Sequence, residues 1–245
     1  MRTIDLNCDL GEGEPNDAQI MPLVTSANIA CGAHAGDLIT LAKTVACAAG
    51  HGTAIGAHPG YFDWENFGRR EHVVSPEEAS RLVLLQVERC FEVAGPRLRH
   101  VKLHGALYHQ VSHDAALAAA VVDDLARLWP GLILFALAGS CLVEIARARG
   151  VRVAEEVFAD RTYQPDGSLT PRSAPNALIA DPEAGVRQVI RMIEEGLVRA
   201  NDGTEVVIRA DTICVHGDGP DAVTLVKQLR QALERAGIEI KAFNP

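Results

Sequence analysis

Hydrophobic positions follow two different periods along this chain, and their alternation lays out its elements. Residues 3–10 are apolar at Ile4, Leu6, Cys8 and Leu10 and polar at Thr3, Asp5, Asn7 and Asp9. That period of two is the signature of a β-strand. Apolar runs of strand length recur at 26–31, 53–58, 100–104, 132–138, 151–158 and 212–216. Between them lie longer stretches of helical pattern. These cover 38–49, 75–93, a segment capped by Asp114 that ends before Pro130, and then 141–149, 181–195 and 221–236. Ser75-Pro76-Glu77-Glu78 is a strong helix start, with a Ser cap, Pro at the first position and acids in the first turn. Asp181-Pro182-Glu183 repeats that logic. Asn201-Asp202-Gly203 between 198–200 and 205–208 predicts a hairpin. Polar loops fill 60–72 and 164–175, and a short strand at 239–242 closes the chain.

About seven parallel strands with intervening helices predict an α/β fold, either a barrel or an open doubly wound sheet. No linker or composition shift divides the chain, so residues 1–245 are expected to form one domain. A chain of 245 residues suits a (β/α) barrel, which runs to about 250. Hydrophobic residues make up 48% and aromatics only 4%, so the core must be aliphatic. The net charge is −9 and no basic stripe is visible, which argues against nucleic acid as a partner. Six cysteines occur without C-x-x-C spacing, which excludes a zinc ribbon or thioredoxin motif and leaves small buried hydrophobes. No secretory segment or membrane-length apolar run is present, so a cytoplasmic protein with no membrane partner is expected. G-x-G-x-x-G after the first strand and the Walker A loop are both missing, which excludes those two nucleotide sites.

The chemistry collects at strand ends. Asp5, Asn7 and Asp9 share one face of the first strand and point inward if the apolar face lies under helices. Barrel interiors are usually filled by branched apolar side chains, so acids there need partners or a function. The second strand carries Asn28 and leads to His34, with Asp37 just beyond. The third ends at His58, the fourth carries Lys102 and His104, and the last ends at His216 and Asp218. A lone histidine is more often a hydrogen-bonded structural residue than a ligand. Four at four strand ends, each within two residues of a glycine, point to an active-site rim. Lys102 sits mid-strand and needs a buried carboxylate, which Asp5, Asp9 or Glu156 can supply. The competing reading is a purely structural ion pair. Arg69, Arg70, Asp160-Arg161 and Arg172 add cations in loops that suit carboxylates or phosphates.

Taken in order, these segments resemble the LamB/YcsF family. The matching stretches are Asp5-Leu-Asn-Cys-Asp-Leu-Gly-Glu12, Ser26-Ala-Asn-Ile-Ala-Cys-Gly-Ala-His-Ala-Gly-Asp37 and Ile55-Gly-Ala-His-Pro-Gly60. Phe67-Gly-Arg-Arg70, Val101-Lys-Leu-His-Gly-Ala-Leu-Tyr108, Glu156-Val-Phe-Ala-Asp-Arg161 and Ile213-Cys-Val-His-Gly-Asp218 continue the set. Leu103 departs from it, because the family usually has Pro there, and the loop around Leu169–Arg172 is also atypical.

The resemblance implies a single seven-stranded (β/α) barrel of the glycoside hydrolase/deacetylase type. It implies cleavage of 5-oxo-L-proline to L-glutamate coupled to ATP hydrolysis, in a complex with 5-oxoprolinase subunits B and C. ATP with Mg²⁺ is then the expected cofactor, with no tightly bound group, and self-association stays open. On this basis Lys102 with Arg69 or Arg70 would stabilise transferred phosphate. Asp9, Glu12 or Asp37 would hold Mg²⁺ or act as base, and His34, His58, His104 and His216 would orient substrate or move protons. Asn7, Asn28, Glu156, Asp160, Arg161 and Asp218 complete the expected binding set. Two rivals remain. One is a metal-dependent, sugar-deacetylase-like hydrolase with Asp9, His34 and His58 on the ion. The other is a non-catalytic subunit that only binds ligand.

Overall fold

The computed structural model describes residues 2–217 and 221–244. Seven parallel strands close into a barrel in the order β1 (Thr3–Leu10), β2 (Ser26–Ala30), β3 (Ala54–His58), β4 (Leu98–Lys102), β5 (Ile133–Leu137), β6 (Val153–Phe158) and β9 (Thr212–His216). The β1–β9 pairing, from Asp5↔Thr212 to Asp9↔His216, shuts the ring. The open doubly wound sheet is thereby excluded. A hairpin of β7 (Leu197–Arg199) and β8 (Glu205–Val207) is antiparallel and lies outside the ring. The short β10 (Glu239–Ile240) extends the edge of β1 through Thr3 and Ile4.

Helices wrap the outside because each crossover returns the chain to the bottom of the next parallel strand. They are α1 (Asp17–Ile20), α2 (Leu38–His51), α3 (Pro76–Ala94), α4 (Gly105–His113), α5 (Ala115–Leu128), α6 (Cys141–Ala148), α7 (Pro182–Glu195) and α8 (Ala222–Arg235). The capping signals act as expected. Ser75 and Glu78 form a full capping box, with Glu78 N–H donating to Ser75 Oγ at 3.2 Å and Ser75 N–H to Glu78 Oε2 at 2.8 Å. Asp181 accepts from Glu183 and Ala184 N–H, and Asp114 from Ala116 and Leu117 N–H. Among the described residues no helix is long and apolar enough to cross a membrane.

Besides the unannounced α1, the sequence reading and the structure differ most around β4. β4 begins at Leu98 and ends at Lys102, two residues earlier than expected. A helix, α4, then starts at once on Gly105, where a segment without a helix was expected. His104 stands at its N-cap without a side-chain cap bond, so the sequence carries no capping residue to announce it.

The outward face of β1, namely Ile4, Leu6, Cys8 and Leu10, is buried in the main aliphatic core. The inward face is polar. Asp5 accepts from Thr25 Oγ1 and Ser26 Oγ, both at 2.7 Å, and from Thr212 Oγ1. Asn7 donates to Glu156 Oε1 at 3.0 Å and to Thr212 Oγ1 at 2.8 Å. Asn28 donates to Asn7 and Asp9 and accepts from His100 Nε2 at 2.9 Å. Buried polar groups are tolerable only when mutually satisfied, and this network satisfies them. Lower down, Ile133, Phe135 and Ala154 form a separate apolar cluster against Phe243.

His100 has room inside the ring because the strand beside it is bare. It pairs with Gly56 at a register shift in the β3–β4 ladder, and Phe135 stacks on its ring at 4.2 Å. A Cβ on Gly56 would fall 2.0 Å from His100 Nε2. Gly56→Ala is therefore expected to destabilise the fold by roughly 3 kcal/mol or to prevent folding. Gly50→Ala, in α2 with nothing within 4 Å of the new Cβ, should instead stabilise by about 0.4–1 kcal/mol. Urea melts of the two variants check this pair, and equal midpoints would contradict it.

Candidate active site

The barrel's carboxyl-terminal end carries a cluster whose centre is the Lys102 ammonium. Lys102 Nζ lies 2.7 Å from Asp9 Oδ1, 3.2 Å from Glu156 Oε1 and 3.0 Å from Cys214 Sγ. The ammonium donates to Asp9 and Cys214 and forms an ion pair with Glu156. Burial alone would push the Lys102 amine down, but Asp9, Cys214 and Glu156 outweigh it and hold the ammonium well above its ordinary range. Burial would likewise push the Asp9 carboxyl up, yet His58 and Lys102 keep it well below the usual range. Glu156 Oε2 accepts from Tyr108 OH at 2.7 Å. Burial, then Glu156, pushes the Tyr108 phenol up, so it stays a donor.

Three imidazoles pack beside Asp9. His34 and His104 stack at 3.7 Å, and His58 meets His104 with Nε2 2.9 Å from Nδ1. Glu12 Oε1 lies 3.1 Å from His34 Nε2 and 3.4 Å from His104 Nδ1. Backbone carbonyls hold two of the rings, Lys102 O at His58 Nδ1 and Phe67 O at His104 Nε2. Glycines bring backbone against these rings rather than against open space: a Cβ on Gly60 would sit 2.7 Å from His34 Nδ1, and one on Gly68 would sit 3.0 Å from His104 Cδ2. Burial first, and then His58, pushes His34 down to about 3. Burial, with His34 and His58, also drives His104 well below its ordinary value. Both rings are therefore neutral at physiological pH.

Above this floor opens a cavity of about 330 Å³ lined by Asp9, Lys102, His104, His216 and the loop arginines 69, 161 and 172. That volume falls within the range of small-molecule sites. His216 is part-exposed, and its Nδ1 lies 2.9 Å from Asp160 Oδ2. Burial, the largest influence, would raise the Asp160 carboxyl, but His216 holds it down. An ionised Asp160 accepts the Nδ1 proton, so His216 Nε2 is the acceptor nitrogen. Arg161 is buried, and its fork donates to Thr170 O at 2.6 Å and Ala177 O at 3.3 Å, tying the 164–175 loop over the cavity. Arg69 lies over the Phe67 ring.

Most expected residues converge here, but several do not. Asp37 is exposed and accepts from Thr40 N–H at 2.7 Å as the N-cap of α2. Its carboxylate serves its own helix rather than catalysis. Arg70 is exposed and lies off the cavity wall, unlike Arg69. Asn7, Asn28 and Glu156 lie within the barrel at zero exposure, holding other side chains rather than ligand. Lys102 lines the cavity while donating to Asp9 and Cys214 and pairing with Glu156. Asp218 lies outside the described residues. The sequence reading did not single out Tyr108 or His100. Tyr108 was detectable as the residue four after His104, had α4 been recognised, since that spacing repeats a helix face.

Two groups have metal-compatible spacing among the described residues. One is Glu12 with His34, His58 and His104, and the other is Asp9 with Cys214 and His216. The second surrounds an ammonium bonded to both Asp9 and Cys214, which excludes another cation there. The first gathers one carboxylate and three imidazoles.

Comparison with known proteins places this geometry. Residues 4–245 match the model of the LamB/YcsF family. A Bordetella pertussis protein, named as the A subunit of 5-oxoprolinase, is 51% identical over 98% of each chain. The crystal structure of a lactam utilization protein from Thermus thermophilus superposes with a TM-score of 0.89 at 44% identity, covering 98% of this chain and all of that one. A family 4 carbohydrate esterase from Streptomyces lividans has a TM-score of 0.54 at 10% identity, covering 100% of this chain and 94% of that one. That likeness shows the shared deacetylase-type barrel alone.

The buried imidazoles make stability depend on acid. His100, buried and beside Lys102 and His58, is pushed down to about 3. The folded ring stays neutral while the unfolded one takes a proton below 6.5. Stability should therefore fall as pH drops from 6.5 toward 3, by about 1.4 kcal/mol per pH unit from this ring alone. Urea midpoints at pH 7, 6 and 5 should decline more steeply for the wild type than for His100→Gln. Identical pH slopes in the two proteins would refute this.

Proposed function

Because this chain belongs to the LamB/YcsF family, we propose that it is the A subunit of an ATP-dependent 5-oxoprolinase, acting with subunits B and C. The observation that carries this reading is the full-length likeness, 51% identity over 98% of each chain, to a protein of that name. The cavity's chemistry agrees with it. A small anionic lactam and a phosphoryl group both need cations, and arginines 69, 161 and 172 supply them in a protein whose net charge is −9.

A five-membered lactam is a stable amide, so its carbonyl needs activation. In the proposed reaction the γ-phosphoryl of ATP, entering as its magnesium complex, is transferred to the amide oxygen and ADP leaves. Water then adds to the activated carbon, and its proton passes to His216 Nε2, which Asp160 orients. The ring C–N bond breaks as His216 returns that proton to the nitrogen, leaving an acyl phosphate. A second water hydrolyses the acyl phosphate to L-glutamate and phosphate. Asp9, kept ionised by His58 and Lys102, makes the floor unfavourable for a second anion. Tyr108 and Glu156 hold Lys102 in register.

The test is glutamate and ADP release from 5-oxo-L-proline and ATP by the chain with and without subunits B and C. Coupled turnover is expected in the assembled enzyme. His216→Gln should lower kcat about 10²–10⁴-fold with the complex intact. Arg172→Gln should raise KM more than it lowers kcat. An assembled wild-type complex that releases no glutamate sinks the reading, and full turnover by His216→Gln sinks the role given to that base.

A further inference from the structure

Arg161 carries a buried charge with no carboxylate paired to it. The residue is 7% exposed, and arginine at that depth is ordinarily ion-paired. Among the described residues its guanidinium meets two backbone oxygens, Ala177 O on Nε and Thr170 O on Nη2. Arginine has five N–H donors, so both on Nη1 and one on Nη2 are left over. The residue lines the cavity, which is where an acceptor for them must come from. Burial first, and then the Arg172 charge, pushes the guanidinium down to about 10. It stays charged at neutral pH, and the repulsion from Arg172 exceeds the attraction of Asp160, whose carboxylate is engaged by His216.

The backbone is held too. Arg161 pairs with Leu178 in an antiparallel bridge, and its carbonyl accepts from Gln188 Nε2 at 2.9 Å. A guanidinium fixed at two of its nitrogens presents its remaining edge in one direction, which suits a planar anion.

Two features choose a carboxylate over a phosphate. One is the company it keeps. Leu169 and Pro171 flank Thr170 in the chain and line the cavity together with Leu103 and Phe158. They offer apolar surface to the methylenes of a small ring and nothing to a polyphosphate, which is polar throughout. The other is burial. Arg69 is exposed and Arg172 half-buried, whereas Arg161 is buried, so a polyphosphate entering from solvent meets the first two before the third. The neighbouring residue adds a geometric link. Asp160 holds His216 Nδ1 at 2.9 Å, so adjacent residues fix the base and the free guanidinium edge. In 5-oxoproline the carboxylate-bearing carbon and the amide carbonyl flank the ring nitrogen, a short separation that such a pair matches.

We propose that Arg161 binds the carboxylate of the substrate and so restricts the cavity to compact cyclic amides that carry a carboxylate beside the amide nitrogen. The identity of the ring rests on the lactam reading above, whereas the carboxylate anchor does not.

The test uses the full chain without nucleotide, titrated by calorimetry with four probes. These are 5-oxo-L-proline, the neutral lactam 2-pyrrolidinone, the ring acid cyclopentanecarboxylate and inorganic phosphate. Both carboxylates should bind once per chain and compete with each other, and phosphate should displace neither. The neutral lactam should bind at least about 100-fold more weakly than 5-oxo-L-proline, because it leaves the guanidinium unpaired. Arg161→Gln should weaken both carboxylates by roughly 100-fold or more and Arg161→Lys by less, with 2-pyrrolidinone unchanged in each. A residue that only tied down the loop would shift all ligands alike. Circular dichroism melts identify a variant that fails to fold, and the ranking of probes on the wild type then decides alone. The anchor is overturned by the absence of saturable carboxylate binding, by 2-pyrrolidinone binding as tightly as 5-oxo-L-proline, by displacement of the carboxylates by phosphate, or by wild-type affinity in folded Arg161→Gln. Arg161-dependent binding of both carboxylates, in a chain whose assembled complex releases no glutamate, keeps the anchor and removes the lactam reaction.

Discussion

A single ammonium, buried between two carboxylates, organises the inside of this barrel. Lys102 touches Asp9 and Glu156, which reach it from opposite neighbours of the closing strand β9. Removing one partner of such a group typically costs about 3–5 kcal/mol, because the remaining charge stays buried without compensation. The rest of the interior follows from keeping these charges satisfied. Asn28 and Asn7 brace the carboxylates, Tyr108 caps Glu156, and Asp5 gathers the hydroxyls of Thr25, Ser26 and Thr212. A barrel filled with branched apolar side chains would need none of this.

The same constraint shapes the site. Lys102 offers its side chain to Asp9 and its carbonyl to His58. One residue thus holds an anion ionised and sets the tautomer of the ring beside it. The stack of His34 on His104 lies against the backbone of Gly68, so the imidazoles have little freedom to turn. Cations for an anionic ligand come from elsewhere, on the 69 and 161–172 loops above the rim. The floor is closely packed, while the walls are arginine-rich. In the proposed reaction, that division would separate the groups that hold geometry from those that meet substrate.

Much of the frame is written in local pattern. The period-two alternation of residues 3–10 determined that Asp5, Asn7 and Asp9 share a face opposite Ile4, Leu6, Cys8 and Leu10. The Ser75 and Asp181 starts, the hairpin at 201–203 and the strand ends bearing His58 and His216 are also local signals, and the structure carries them all. α4 escaped because it follows β4 with no capping side chain. Asp37 misled because a carboxylate before a helix reads the same whether it faces a cavity or its own Thr40 N–H.

The chain's pattern by itself determined repeated βα units, an inward acidic strand and a lysine that had to find a carboxylate. Those follow from periodicities of two and 3.6 residues and from the free energy of burying charge. Only the tertiary structure decided which groups meet. The β1–β9 closure brings Asp9 beside Cys214 and His216, and the closed ring places Glu156, not Asp5, on Lys102. Nor does spacing along a chain reveal that two carbonyls would fix the protons of His58 and His104. Tautomers depend on neighbours supplied by other strands and loops, so the strand-end cluster was legible as a location, and its chemistry only as a three-dimensional arrangement.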